Sequence, residues 1–164
     1  MKKYIKYIAL IAMVSSSLYA QAPTLSVSPF LSLPVGTSAS MLSVGLGGRL
    51  DSVWMLGDGG FEVKSSIAYE YSPSLASTPL HSVQALAGPE YRLDFSPSIS
   101  MRAAALVGGY FVTYEGASGG NLYIEPGLGV DFSLGDALRL SMGASYGLKL
   151  SESMSLSGIG ISIG

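Results

Sequence analysis

Between residues 41 and 150 the charged residues obey a parity rule, and few folds can satisfy it. In 41–55, Arg49 and Asp51 fall on the same alternate positions as Ser43, Gly45 and Gly47, while Leu42, Val44, Leu46, Gly48 and Leu50 fall on the other. In 61–71, Glu62, Lys64 and Glu70 oppose Phe61, Val63, Ile67, Tyr69 and Tyr71. In 82–95, Glu90, Arg92 and Asp94 oppose Val83, Ala85, Ala87, Tyr91, Leu93 and Phe95. Arg102 in 99–114, Glu125 and Asp131 in 121–134, and Arg139 and Lys149 in 138–150 keep to the polar parity in the same way. Successive side chains of a β-strand point to opposite faces, so this period of two predicts strands with one apolar and one charged face. A helix would scatter the same charges around its circumference.

Two further segments, 24–33 and 154–164, bring the expected strands to about eight. The stretches between them, 34–40, 56–60, 72–81, 96–98, 115–120, 135–137 and 151–153, are rich in Gly, Pro, Ser and Asp, the residues that turns need. Asp58, Glu115, Asp136 and Glu152, the charges outside the strands, lie in or beside such turns. Two strand prolines, Pro89 and Pro126, each remove a ladder donor, which predicts bulges beside Gly88 and Gly127. A further bulge is expected near Ser157 and Gly158, where Leu156 and Ile159 fall out of phase.

Residues 1–20 have the three parts of an export signal. Lys2, Lys3 and Lys6 precede a short apolar run, 7–14, and a small-residue stretch ends at Ala20. That run is too short to span a bilayer. The expected division is a signal peptide over 1–20 and one domain over 21–164. There is no cysteine, so no disulfide, thiolate metal site or lipidated cysteine is available. Without the leader lysines the chain is acidic, which argues against a nucleic-acid surface. Only 12% of residues are charged, half the fraction usual in soluble domains. No later stretch offers the apolar length of a membrane helix.

Parity leaves open which face points inward. A soluble barrel would bury the apolar face, and a membrane barrel buries the charged one. The polar face is mostly small (Gly127, Gly129, Ser141, Gly143, Ser145, Gly147), as a crowded interior requires. Outward aromatics gather at strand ends: Trp54, Phe61, Phe95 and Phe132 towards one rim, and Tyr69, Tyr71, Phe111 and Tyr146 towards the other. Such girdles sit at the two bilayer interfaces. The expected fold is therefore all-β, a closed antiparallel up-and-down transmembrane barrel.

With the stretch 29–51 (PFLSLPVGTSASMLSVGLGGRLD) read as a first hairpin, the chain resembles the small outer-membrane barrels that include the OmpA transmembrane domain and the OmpX and OmpW types. The resemblance covers the barrel pattern, and not the peptidoglycan-binding domain of full-length OmpA. The family's last strand usually ends in an aromatic residue read by the assembly machinery, whereas this sequence ends Ile161-Ser162-Ile163-Gly164. The resemblance implies a bacterial outer-membrane location, outer-membrane lipid as the surroundings, and periplasmic chaperones and the barrel-assembly machinery as partners during biogenesis.

The candidate site is a lumen charge network of Arg49, Asp51, Glu62, Lys64, Glu90, Arg92, Asp94, Arg102, Asp131 and Arg139. Unpaired charges in a narrow interior are costly, so pairing is expected, with Asp131 shared by Arg92, Arg102 and Arg139. The network reads as a plug filling the interior, or else as a charged gate. His81, Ser82 and Glu70 invite comparison with the histidine, serine and acid of lipid-modifying barrels. Adjacent strand residues diverge, however, so His81 is expected to be a loop histidine and no catalytic role follows. The glycine pairs open no helix and form no phosphate loop; they read as turns and tight interior packing. No metal or cofactor site is expected. The leading functional reading is a structural, envelope-integrity barrel. The alternatives are a surface adhesin or host-factor binder, and a narrow channel for ions or small apolar solutes.

Overall fold

The computed structural model describes residues 23–164, apart from 41, 58, 74–78, 115–116, 136–138 and 151–155. The signal region and the turn charges Asp58, Glu115, Asp136 and Glu152 lie outside the described residues. Eight strands run in chain order around a closed barrel: β1 (Thr24–Val35), β2 (Gly45–Met55), β3 (Phe61–Ser72), β4 (Leu80–Ser96), β5 (Ile99–Tyr114), β6 (Ala117–Ser133), β7 (Arg139–Leu150) and β8 (Leu156–Ile163). Every strand pairs antiparallel with its chain neighbour, and β1 closes on β8 from Phe30↔Ser162 to Val35↔Ser157. One short 3-10 helix, η1 (Gly36–Ser40), follows β1. No helix among the described residues is long and apolar enough to cross a membrane.

The side-chain polarity is inside out relative to a soluble barrel. Asp51, Glu62, Lys64, Glu70, Glu90, Glu125, Asp131 and Lys149 are buried, while Leu25, Val27, Ile67, Phe95, Phe111 and Leu128 are exposed. Phe61 and Tyr91 meet edge to face on the outer surface with ring centroids 5.4 Å apart. Among the inward hydrophobic residues, Leu86, Leu106, Tyr110 and Tyr123 form a small cluster.

Several sequence expectations change. β1 extends to Val35, and η1 occupies most of what reads as a plain turn, with Ser38 buried and its Oγ accepting from the Ser157 amide at 2.8 Å. β2 begins at Gly45 rather than near 41, and β6 begins at Ala117 rather than 121. Neither strand proline makes a bulge. The β4–β5 register is unchanged from Ala87↔Val107 to Glu90↔Ala104, and the β6–β7 register from Ile124↔Leu148 to Gly127↔Ser145. An antiparallel residue bonds to one neighbour only, so each proline removes one ladder bond while the opposite partner, Val63 or Ala105, keeps its place. β8 is also unbroken, so positions 156 and 159 take opposite parity with no bulge. Among the described residues the one register shift lies between Asp94 and Ser96, at the tight β4–β5 turn.

Several large inward side chains have a glycine across the strand pair. Phe30 opposes Gly47, Leu86 opposes Gly108, and Gly88 lies against the backbone of Ala105 and Leu106. A Cβ at Gly108 would overlap the Ala85 carbonyl oxygen, which as backbone cannot swing aside. Gly108→Ala should therefore cost about 1–3 kcal/mol. Gly48→Ala, with open space around the new methyl, should be near neutral. Denaturant unfolding of both variants in lipid vesicles checks this, and equal stabilities would refute it.

Candidate functional site

A chain of alternating charge runs around the inner wall. Asp51 on β2 contacts Lys64 on β3 at 2.9 Å, and Lys64 contacts Glu90 on β4 at 3.6 Å. Glu90 meets Arg102 on β5 at 3.6 Å, Arg102 meets Asp131 on β6 at 2.7 Å, and Asp131 meets Arg139 on β7 at 3.9 Å. Each step is diagonal by the same offset. The register partner of Asp51 is Ser66, and Lys64 lies two residues along; the partner of Lys64 is Gly88, and Glu90 lies two along. Strand tilt makes this diagonal run around the barrel rather than along it.

Of the sequence-predicted residues, Arg92 and Glu62 stand outside this chain. Arg92 is directly opposite Arg102 in the register and turns to the rim, where its Nε donates to Asp94 of its own strand at 2.8 Å. Asp131 is thus shared by Arg102 and Arg139 but not by Arg92. Glu62 is buried opposite Glu90, and among the described residues it makes no ion pair. Arg49 leaves the wall altogether.

Arg49 and Glu125 tie β2 to β6 across the lumen. The guanidinium donates in bidentate fashion to the carboxylate, Nη1 to Oε1 at 2.6 Å and Nη2 to Oε2 at 2.8 Å. This parallel fork is the strongest geometry open to an ion pair. The Tyr123 hydroxyl donates to the same carboxylate at 3.0 Å, and the Phe30 ring lies 5.4 Å from the guanidinium carbon. A second tie joins β3 to β7: Lys149 Nζ donates to Glu70 at 3.0 Å, with the Tyr110 and Tyr123 rings each 6.0 Å from the ammonium. Ser72 and Gln84 donate to the same Glu70 carboxylate at 2.9 and 3.0 Å.

Glu70, Glu125, Lys149 and Tyr123 are the lumen residues that counting along neighbouring strands does not bring together. The ion-pair partners of Glu70, Glu125 and Lys149 lie four strands away around the barrel, and Tyr123 joins through Glu125 of its own strand. The available signal was the shared parity of Glu70, Glu125 and Lys149 with the other charges.

The space left inside is small. A cavity of about 30 Å³ lies on the η1 side of the Arg49–Glu125 pair, among Ser38, Glu70, Gln84 and Lys149. Another of about 70 Å³ lies on the far side, among Asp51, Lys64, Glu90 and Arg102. Both are lined by Arg49 and Glu125, which therefore partition them. Such volumes hold a few waters.

His81 and Ser82 point apart. His81 lies within β4 rather than in a loop, on the outer face, where Nδ1 is 2.6 Å from the Tyr69 hydroxyl. Ser82 is buried in the lumen, 3.5 Å from Glu70. The geometry assembles no nucleophile, base and acid from these three. Among the described residues no group of three or more metal-ligating side chains converges.

No protein-family model and no curated protein matches the sequence. Solved structures do match. Neisserial surface protein A aligns with TM-score 0.61 at 12% identity, over 87% of this chain and 96% of that one. The chain has the fold of the small outer-membrane β-barrels. The attachment invasion locus protein Ail of Yersinia pestis aligns with TM-score 0.48 at 15% identity, over 88% of this chain and 98% of that one. The N-terminal barrel domain of Pseudomonas aeruginosa OprF aligns with TM-score 0.47 at 14% identity, over 85% and 95%. At such identities the likeness is one of fold.

Proposed function

We propose that the protein is an integral outer-membrane barrel serving envelope structure, with a lumen closed by cross-barrel ion pairs rather than kept open for transport. The Arg49–Glu125 fork carries this reading, because it spans the lumen and divides the remaining space into two water-sized cavities. The exposed apolar band supports lipid as the surroundings, since exposed aliphatic surface on this scale is otherwise an aggregation hazard. In the same reading, residues 1–20 direct export, and periplasmic chaperones and the barrel-assembly machinery carry the chain to the membrane.

Planar-bilayer recording tests the closed lumen. The wild-type protein should give no steady ionic conductance. The Arg49→Ala/Glu125→Ala double variant, which removes the partition without leaving an unpaired charge, should give discrete openings. A steady wild-type pore would replace this reading with that of a channel.

A further inference from the structure

Glu62 and Glu90 are two buried acids set directly against each other. They are register partners on β3 and β4, and their residues are only 4% and 2% exposed. Opposed residues on one face of an antiparallel pair stand about 4.5–5.5 Å apart at Cβ, which puts the two carboxyl groups within reach of each other. The cations around them are committed elsewhere. Lys64 and Arg102 each stand 3.6 Å from Glu90, but Lys64 lies closer to Asp51, at 2.9 Å, and Arg102 closer to Asp131, at 2.7 Å. Among the described residues Glu90 Oε1 has no hydrogen-bond partner, and Glu62 makes no ion pair. The two-residue diagonal that leads from Lys64 to Glu90 leads from Glu62 to Arg92, whose Nε donates instead to Asp94.

The charges at this end of the lumen leave one acid over. β2 contributes Asp51, β3 contributes Glu62 and Lys64, and β4 contributes Glu90, Arg92 and Asp94. β5 contributes Arg102, β6 Asp131 and β7 Arg139. β1 and β8 present only uncharged side chains, among them Ser26, Ser28 and Ser162. The described side chains here are thus five acids against four bases. Further up the lumen, Arg49 with Glu125 and Lys149 with Glu70 pair one to one and lend no spare cation.

We propose that Glu62 and Glu90 form a proton-binding site, with one proton shared between the two carboxyls at neutral pH. Two ionised carboxylates held together in a buried site repel, so the pair keeps one charge rather than two. The protonated carboxyl donates to its partner, which cancels the excess acid and supplies the hydrogen bond that Glu90 Oε1 lacks. The proton belongs to the pair and not to either residue alone. The inference rests on the inward placement of the charges, and not on the envelope role.

Infrared spectroscopy of the folded protein in lipid vesicles, with carbon-13 in the glutamate carboxyls, tests it. At neutral pH the wild-type protein should show a protonated glutamate carbonyl band. Glu62→Gln and Glu90→Gln should each abolish the band, because either change leaves a single carboxylate facing the same four bases. A lone protonated acid would lose its band in one variant only. The unfolded chain holds no such proton at neutral pH, since both glutamates then ionise normally. The native state therefore binds more protons than the unfolded state. The wild-type folding equilibrium constant should fall as pH rises through the range where the band disappears, by up to about tenfold per pH unit. Glu62→Gln should lack that decline. If a variant fails to fold, the wild-type band and its loss with rising pH decide the matter. No protonated glutamate at neutral pH would overturn the site and mean that Arg92 or water neutralises the pair. A band lost in one variant only, or the same pH dependence of stability in wild type and Glu62→Gln, would overturn it as well. None of these results touches the closed lumen, which bilayer conductance tests separately.

Discussion

Arg49→Met should cost the barrel about 3–5 kcal/mol of unfolding free energy, and adding Glu125→Leu should return part of that cost. The reason is what the single substitution leaves behind. Glu125 is almost fully enclosed and receives two of its hydrogen bonds from Arg49, so without the guanidinium it keeps only the Tyr123 hydroxyl among the described residues. A buried carboxylate so deprived pays its desolvation unrelieved, whereas removing both charges leaves nothing to solvate. Lys149→Met makes an internal comparison. Glu70 would still accept from Ser72 and Gln84, so that loss should be smaller. A double-mutant cycle on reversible unfolding from lipid vesicles measures the coupling directly. Additive single-variant effects would show that the fork ties nothing together, and would remove the main support for a lumen closed by ion pairs.

The architecture was legible in this chain because one rule runs through it without interruption. Apart from the shift between Asp94 and Ser96 at the end of β4, the register holds along the described strands, and even Pro89 and Pro126 leave it unshifted, so charges read off at alternate positions remain on one face. The wall contacts were half legible. The residues Lys64, Glu90, Arg102, Asp131 and Arg139 were all identified, but counting straight across from the strand ends grouped Arg92 with them. In the folded barrel the contacts follow a diagonal of two residues per strand, which admits Arg102 and sends Arg92 to the rim. The cross-lumen ties were not legible. Arg49 with Glu125 and Lys149 with Glu70 join residues 76 and 79 positions apart on strands that never pair, and only closure of the barrel brings them together. The pairing of Phe30 with Gly47 and of Leu86 with Gly108 was hidden for a similar reason. It depends on register, which is set jointly by the parity pattern and the turn lengths, and not by either strand alone.

The direction of that inside-out polarity predicts the outcome of moving one arginine by one residue. Ala105 is exposed on the outer face of β5, between Ala103 and Val107, with Pro126 opposite it. Ala104 faces inward, lines the larger cavity and lies opposite Glu90. Ala105→Arg would place a guanidinium in hydrocarbon well inside the apolar band, at a cost of roughly 2–4 kcal/mol and with impaired assembly. Ala104→Arg meets a different obstacle. The acid across from it is already engaged by Lys64 and Arg102, so the new side chain gains a polar cavity but crowds it, and overpacking of this kind costs about 1–3 kcal/mol. Ala105→Arg should therefore be the more damaging change, read as unfolding free energy from vesicles or as the folded fraction in isolated outer membranes. Greater flexibility of the lumen would widen the gap, because an inward arginine can reach water whereas an outward one at mid-depth cannot. The reverse ranking, with Ala105→Arg neutral and the protein soluble without detergent, would mean that the apolar face is covered by something other than lipid, and the membrane assignment would fall with it.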